Sequence, residues 1–177
     1  GCESLASVTL PDSVTNLGEG AFELCVSLSN VTIPDGVLTV GDWAFYYCAS
    51  LSRITIGGHV ASLGNNLFSE CASLASATIP DSVTNLGDRM FYSCVSLTNV
   101  TLGNGATRVE DSLFYGCTAL TRVTIPPSVT SIGSEAFSGC TSLASLTLGS
   151  GIETVEAWAF YYCTNLSAVY FLSNAPS

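Results

Sequence analysis

The chain has 177 residues, 47% of them apolar and only 10% charged, with 14 acidic residues against 4 arginines, one histidine and no lysine. A net charge of −10 repels phosphate backbones, so nucleic acid is excluded as a partner, and anionic membrane surfaces are disfavoured for the same reason. The high apolar and low charged content argues against disorder, and no apolar run reaches the length that direct membrane insertion requires.

The eight cysteines, Cys2, Cys25, Cys48, Cys71, Cys94, Cys117, Cys140 and Cys163, are all 23 residues apart. A leucine three places on keeps the same step from Leu5 to Leu166, and so does a phenylalanine from Phe22 to Phe160. No insertion or deletion interrupts the phase. The chain is entered in mid-unit at Gly1-Cys2. The next unit shows how each one folds. Val31 and Ile33 alternate with Thr32, which predicts a short strand within Leu28–Pro34. Pro34-Asp35-Gly36 is a turn, Val37 to Val40 a second extended piece, and Gly41 its end. Asp42 to Cys48 suits one helical or 3₁₀ turn. Glu19, Asp42, Asn65, Asp88 and Asp111 recur at its start, where they suit capping of free N–H groups. Gly57, Gly103 and Gly149 replace the turn proline, and Glu110 and Glu156 replace the later glycine, which implies a different local turn. The last unit begins a strand at Val169 and stops.

No unit buries its Leu, Val, Ile and Phe alone, but stacked units cover one another. Equal positions then form ladders at the parallel-strand spacing of ~4.8 Å. The expected fold is a repeat solenoid, mainly β, with short parallel strands. Residues 1–177 are expected to form a single solenoid of about seven and a half units and to be a fragment of a longer array.

Units such as Leu120-Thr-Arg-Val-Thr-Ile-Pro-Pro-Ser-Val-Thr-Ser-Ile-Gly-Ser-Glu-Ala-Phe-Ser-Gly-Cys140 resemble the BspA-like leucine-rich repeat, over nearly the whole chain. That resemblance implies a right-handed coil, an extracellular or cell-surface location and an adhesin-like role. It carries no site residue across, because the motif residues belong to the core.

Several rows are candidates for chemistry. The shared phase of the cysteines places them at one inward site, where a thiol acts as a small apolar filler. A spacing of ~4.8 Å is too wide for an undistorted disulfide, although local distortion would close it. No pair has the spacing of a zinc site, and no run matches a calcium loop, so neither metal nor cofactor is expected. His59 reads as a surface turn residue. No G-x-S-x-G elbow or phosphate loop occurs, and no acid, base and nucleophile assemble, so the chain is not read as an enzyme. Asn30, Asn99 and Asn165 open glycosylation sequons that arise from the repeat itself.

Two rows remain as recognition surfaces. Thr9 to Thr147 face out of the sheet beside the variable row Asn30, Arg53, Ser76, Asn99, Arg122 and Ser145. This row is either a polar binding face or unconstrained solvent-facing positions. On the predicted helical turns, Trp43, Tyr46, Tyr47, Tyr92, Tyr115, Trp158, Tyr161 and Tyr162 stand outward where other units carry glycine, serine or acids. They read either as a site for a protein or glycan ligand or as packing between units. The expected role is a non-enzymatic binding module. The alternative is a structural spacer or self-stacking fibre with no specific ligand. Uncapped ends predict end-to-end self-association.

Overall fold

A computed structural model of the chain describes residues 1–172. The residues after Leu172 lie outside it. The fold is a β-solenoid of parallel strands stacked in two rows. The first row holds β2 (Asn30–Ile33), β4 (Arg53–Ile56), β6 (Ser76–Thr78), β7 (Asn99–Thr101), β9 (Arg122–Thr124), β11 (Ser145–Leu148) and β13 (Ala168–Phe171). The second holds β1 (Asn16–Leu17), β3 (Thr39–Val40), β5 (Ser62–Leu63), β8 (Arg108–Val109), β10 (Ser131–Ile132) and β12 (Thr154–Val155). Every pairing joins residues 23 apart, as in Asn30↔Arg53, Val31↔Ile54 and Thr32↔Thr55. The strands are short because proline or glycine follows most of those in the first row.

Burial follows the alternation. Val31 and Ile33 are buried while Asn30 and Thr32 face solvent. Phe45, Phe68, Phe91, Phe114 and Phe137 are fully buried. With Phe22 and Phe160 they form one stacked column, with ring centroids 5.2 to 5.7 Å apart. Truncating one such ring would cost about 3–5 kcal/mol and leave a gap in the column.

The third side of the coil departs from expectation. Among the described residues there is no helix; 42–48 and its equivalents are successive turns. Two residues per unit, four apart, hold left-handed backbone: Trp43 (φ 54°) and Tyr47 (φ 55°), then Asn66 (φ 53°) and Glu70 (φ 61°), and so on to Trp158 and Tyr162. Gly20, Gly116 and Gly139 fill the same positions in other units. Alternate N–H groups point to the next unit instead of along a helix. Trp43, Phe45 and Tyr47 donate to the carbonyls of Asn65, Leu67 and Ser69 at 2.9, 3.0 and 2.9 Å. Inter-unit bonds thereby satisfy backbone groups that a helix would satisfy internally.

The acidic row also acts between units. Asp42 Oδ1 accepts from Asn65 N–H at 2.8 Å, Asn65 Oδ1 from Asp88 N–H at 2.9 Å, and Asp111 Oδ1 from Ser134 N–H at 3.0 Å. These side chains cap the following unit and not the start of their own. Asp35 and Asp81 do the same at the first turn, accepting from Gly58 and Asn104 N–H, each at 2.7 Å.

Glycines close the second strand because backbones touch there. A Cβ on Gly41 would lie 2.6 Å from Glu19 N, and one on Gly87 would overlap the Gly64 carbonyl. Glu110 is tolerated where the row divides: β5 belongs to one sheet and β8 to another. Its carboxylate meets Arg108, whose Nε is 3.1 Å away without a well-aligned hydrogen bond. Arg108 Nη2 also pairs with Asp111, and with Glu156 at 3.2 Å. Burial alone would lower the Arg108 pKa, but Asp111, Glu110 and Glu156 raise it overall. The Glu110 carboxyl is pushed up, first by burial.

Candidate functional site

All eight cysteines are free thiols. From Cys48 to Cys163 each thiol donates to a phenylalanine carbonyl in the preceding unit, as Cys71 Sγ to Phe45 O at 3.2 Å, Cys94 to Phe68 O at 3.1 Å and Cys117 to Phe91 O at 3.0 Å. Burial pushes the Cys48 thiol up to about 12 and those of Cys71, Cys94 and Cys117 well above the ordinary 9.0. A protonated, buried thiol is a poor nucleophile and a poor metal ligand. Among the described residues, no group of three or more His, Cys, Asp and Glu side chains is placed to hold a metal ion. No helix there is long and apolar enough to cross a membrane. His59 sits on a turn, with Nδ1 3.3 Å from the Asp35 carbonyl.

The aromatic candidates lie on the turn side in three neighbouring rows, and the structure divides them by burial. Trp43 and Tyr47 are 40% and 41% exposed, Trp158 and Tyr162 both 66%. These four occupy left-handed positions. Tyr46, Tyr92 and Tyr115 stand between the two left-handed rows and are half-buried, less outward than the sequence implies. Tyr92 and Tyr115 stack face to face, with centroids 4.9 Å apart and planes at 4°. Tyr46 donates to Glu70 Oε1 at 3.1 Å, and its phenol pKa is raised, first by burial and then by that bond. Ser69 leaves a gap in the tyrosine row between Tyr46 and Tyr92. A groove of about 370 Å³ opens there, lined by Tyr46, Ser69, Glu70, Arg89 and Tyr92. Further along, Tyr161 and Trp158 border a second groove of about 330 Å³ with Glu135. The candidates gather at two grooves that share Glu135: Tyr46, Tyr92 and Tyr115 line the first, Trp158 and Tyr161 the second, and Trp43, Tyr47 and Tyr162 lie on the neighbouring rows.

Sequence reasoning did not find Glu70 and Arg89, the polar rim of the first groove. Their phase relative to Tyr46 was legible, but the left-handed backbone that turns them toward it was not.

The parallel coil, the 23-residue rung and the inward Leu, Phe and Cys columns define a leucine-rich repeat protein. The BspA type leucine rich repeat region matches in six copies, over residues 1–121 and 84–177, and the chain belongs to that family. Among solved structures it is similar to a leucine rich cell surface protein from Faecalibacterium prausnitzii A2-165 at 27% identity and TM-score 0.66, over 98% of this chain and 61% of that one. It is also similar to a leucine-rich repeat protein from Bacteroides ovatus at 28% identity and TM-score 0.65, over 95% of this chain and 51% of that one. A leucine-rich repeat protein of T. pallidum is 29% identical with TM-score 0.62, each chain covered to 78%. The chain thus spans between half and two thirds of the length of the first two. No curated protein matches it.

Proposed function

We propose that the chain is a non-enzymatic recognition module of a cell-surface or secreted protein, engaging a protein or glycan through the aromatic rows of its turn side. The observation that carries this reading is the placement of Trp43 and Tyr47. Left-handed backbone costs a bulky residue about 1–2 kcal/mol, and glycine avoids that cost, as at Gly20, Gly116 and Gly139. Both side chains keep some two fifths of their area exposed to solvent. The fold holds left-handed backbone at these positions in every unit and accepts Glu70, Arg89, Ser93 or Ser112 there, so it does not itself call for tryptophan or tyrosine, which supports a role for these side chains outside the fold. Tryptophan and tyrosine suit that role, with large apolar area and a polar tip. The similarity to a bacterial cell-surface leucine-rich repeat protein supports a surface location.

The test is an array of matrix proteins and glycans probed with the whole chain, followed by Trp43→Gly with Tyr47→Gly. Glycine relieves the backbone cost, so Tm is expected to hold or rise while capture falls at least tenfold. Capture unchanged at preserved Tm removes these side chains from the site. A lower Tm returns them to packing. A folded chain that captures nothing on the array supports the spacer reading.

A further inference from the structure

We propose that the first-row strand face is a second, separate binding surface, for an acidic polysaccharide laid along the solenoid axis and held by Arg53 and Arg122. The five-residue first-row segments, from Ala6–Leu10 to Ser167–Phe171, contain none of the 14 carboxylates of the chain but two of its 4 arginines. The remainder of the molecule carries all 14 acids against the other two arginines, Arg89 and Arg108. Arg108 is already neutralised by Glu110, Asp111 and Glu156. The two face arginines are exposed, and among the described residues neither side chain has an ion-pair or hydrogen-bond partner. Asp35 and Asp81 stand past the strand ends, where they accept from the N–H groups of Gly58 and Asn104. On a strongly acidic protein, this face offers an anion two arginines with no carboxylate among the strand residues.

The outward residues repeat with a period longer than the unit. Asn30, Arg53 and Ser76 are followed by Asn99, Arg122 and Ser145 in the same order. Strand register aligns Asn30↔Arg53, Ser76↔Asn99 and Asn99↔Arg122, and β4 lies against β6, and β9 against β11, where the pairing is interrupted. The arginines therefore stand three rungs apart, ~14 Å along the axis. Beside them runs a row of outward threonines: Thr32, Thr55, Thr78, Thr101, Thr124 and Thr147. The result is a flat track with two guanidinium forks and a continuous cover of hydroxyls and amides.

That chemistry favours a uronate polymer over the other anions. Guanidinium pairs with carboxylate through two parallel hydrogen bonds. Hydroxyls and amides both donate and accept, which matches sugar hydroxyls along their whole length. The first-row strands lie one against the next, including β4 against β6 and β9 against β11 where pairing is interrupted, so a peptide has no room to add as a strand within this face. A single-stranded nucleic acid is held largely by stacking its bases on aromatic side chains, and the outward positions of this face from Asn30 to Thr147 carry none. A polyuronate carries a carboxylate on every sugar, so it reaches both arginines without a fixed register.

The experiment titrates the whole chain with polygalacturonate at low salt, with neutral dextran, poly-glutamate and single-stranded DNA as comparison probes. Polygalacturonate is expected to bind, with a log–log salt slope of about −1 to −2, the release of counterions at two contacts. Arg53→Gln or Arg122→Gln alone weakens it at least fivefold. The double variant abolishes binding at unchanged Tm, while Arg89→Gln and the Trp43→Gly, Tyr47→Gly pair leave it intact. If the glutamine pair lowers Tm, Arg53→Lys with Arg122→Lys keeps the charges and loses the forks, and affinity still falls. The proposal is overturned if wild type binds no tighter than to dextran, if poly-glutamate or DNA binds as well, or if the arginine variants bind like wild type. Loss of the aromatic site leaves these outcomes unchanged, so the two surfaces stand or fall separately.

Discussion

A thiol in the inward column donates to a phenylalanine carbonyl and faces an apolar wall that excludes water, and these outweigh the hydrogen bond at the preceding cysteine's backbone that lowers its pKa. Carbonyl and wall both favour the protonated form, and burial dominates for Cys71, Cys94 and Cys117. A group whose folded pKa is raised contributes stability that is complete below its unfolded value and is lost as pH rises toward the folded one. For these thiols the loss begins near the ordinary value of 9.0. Above it the unfolded chain releases protons that the folded chain keeps. Each such thiol then removes about 1.4 kcal/mol of stability per pH unit, and the three together about 4. Denaturant titrations at pH 8, 9, 10 and 11 should show this decline. Cys94→Ala should lower stability at pH 8 and make the decline shallower by about 1.4 kcal/mol per pH unit. A slope unchanged by that substitution would mean that the thiol ionises freely in the folded chain. The same burial makes the thiols of Cys71, Cys94 and Cys117 poor nucleophiles and poor metal ligands.

Within a unit, the strands follow the predicted alternation, while the turn side follows a rule of its own. Its apolar residues, Ala44, Phe45 and Cys48, satisfy helical spacing and are buried as that spacing implies. Left-handed residues four apart nevertheless open the coil, and its N–H groups bond to the next unit. Side-chain spacing reports which residues go inward. It does not report where the backbone hydrogen bonds go. The close approach of units at the second glycine row can be measured. Gly87→Ala forces its methyl into the Gly64 carbonyl and should cost about 1–3 kcal/mol or more. Gly18 holds the equivalent position in the first unit with nothing within 4 Å of the added carbon, so Gly18→Ala should be neutral or stabilising by up to about 1 kcal/mol. Equal Tm changes for the two variants would refute backbone contact as the reason for the glycines.

At the scale of the molecule, every contact ladder joins a unit to its neighbours, so stability approximates a sum of unit and interface contributions. Deleting residues 72–94 joins Cys71 to Val95 and restores the phase of every column, including Phe68 to Phe114. That shortened chain should keep its circular dichroism spectrum and melt cooperatively at a lower temperature. Deleting 73–94 shifts everything downstream by one residue, turns inward leucines outward and should abolish cooperative melting. The even rung also arranges the surface. It sets like positions one above another, so a variable row becomes a track. Sequence distances of 69 residues, as between Arg53 and Arg122, become three rungs.

The repeat length, the inward columns and the outward threonine row were legible in the sequence because a gapless 23-residue phase admits one stacking register. Membership of the repeat family was legible for the same reason. The candidate aromatics were legible as outliers in their rows, but not their division into exposed Trp43 and Tyr47 and half-buried Tyr46, Tyr92 and Tyr115. Nor was the use of Asp42, Asn65 and Asp111 to cap the unit that follows. These features depend on backbone torsions and inter-unit hydrogen bonds, which exist only once one unit lies on the next. Periodicity records which side of the chain is buried; contact between rungs decides how each remaining polar and aromatic group is turned.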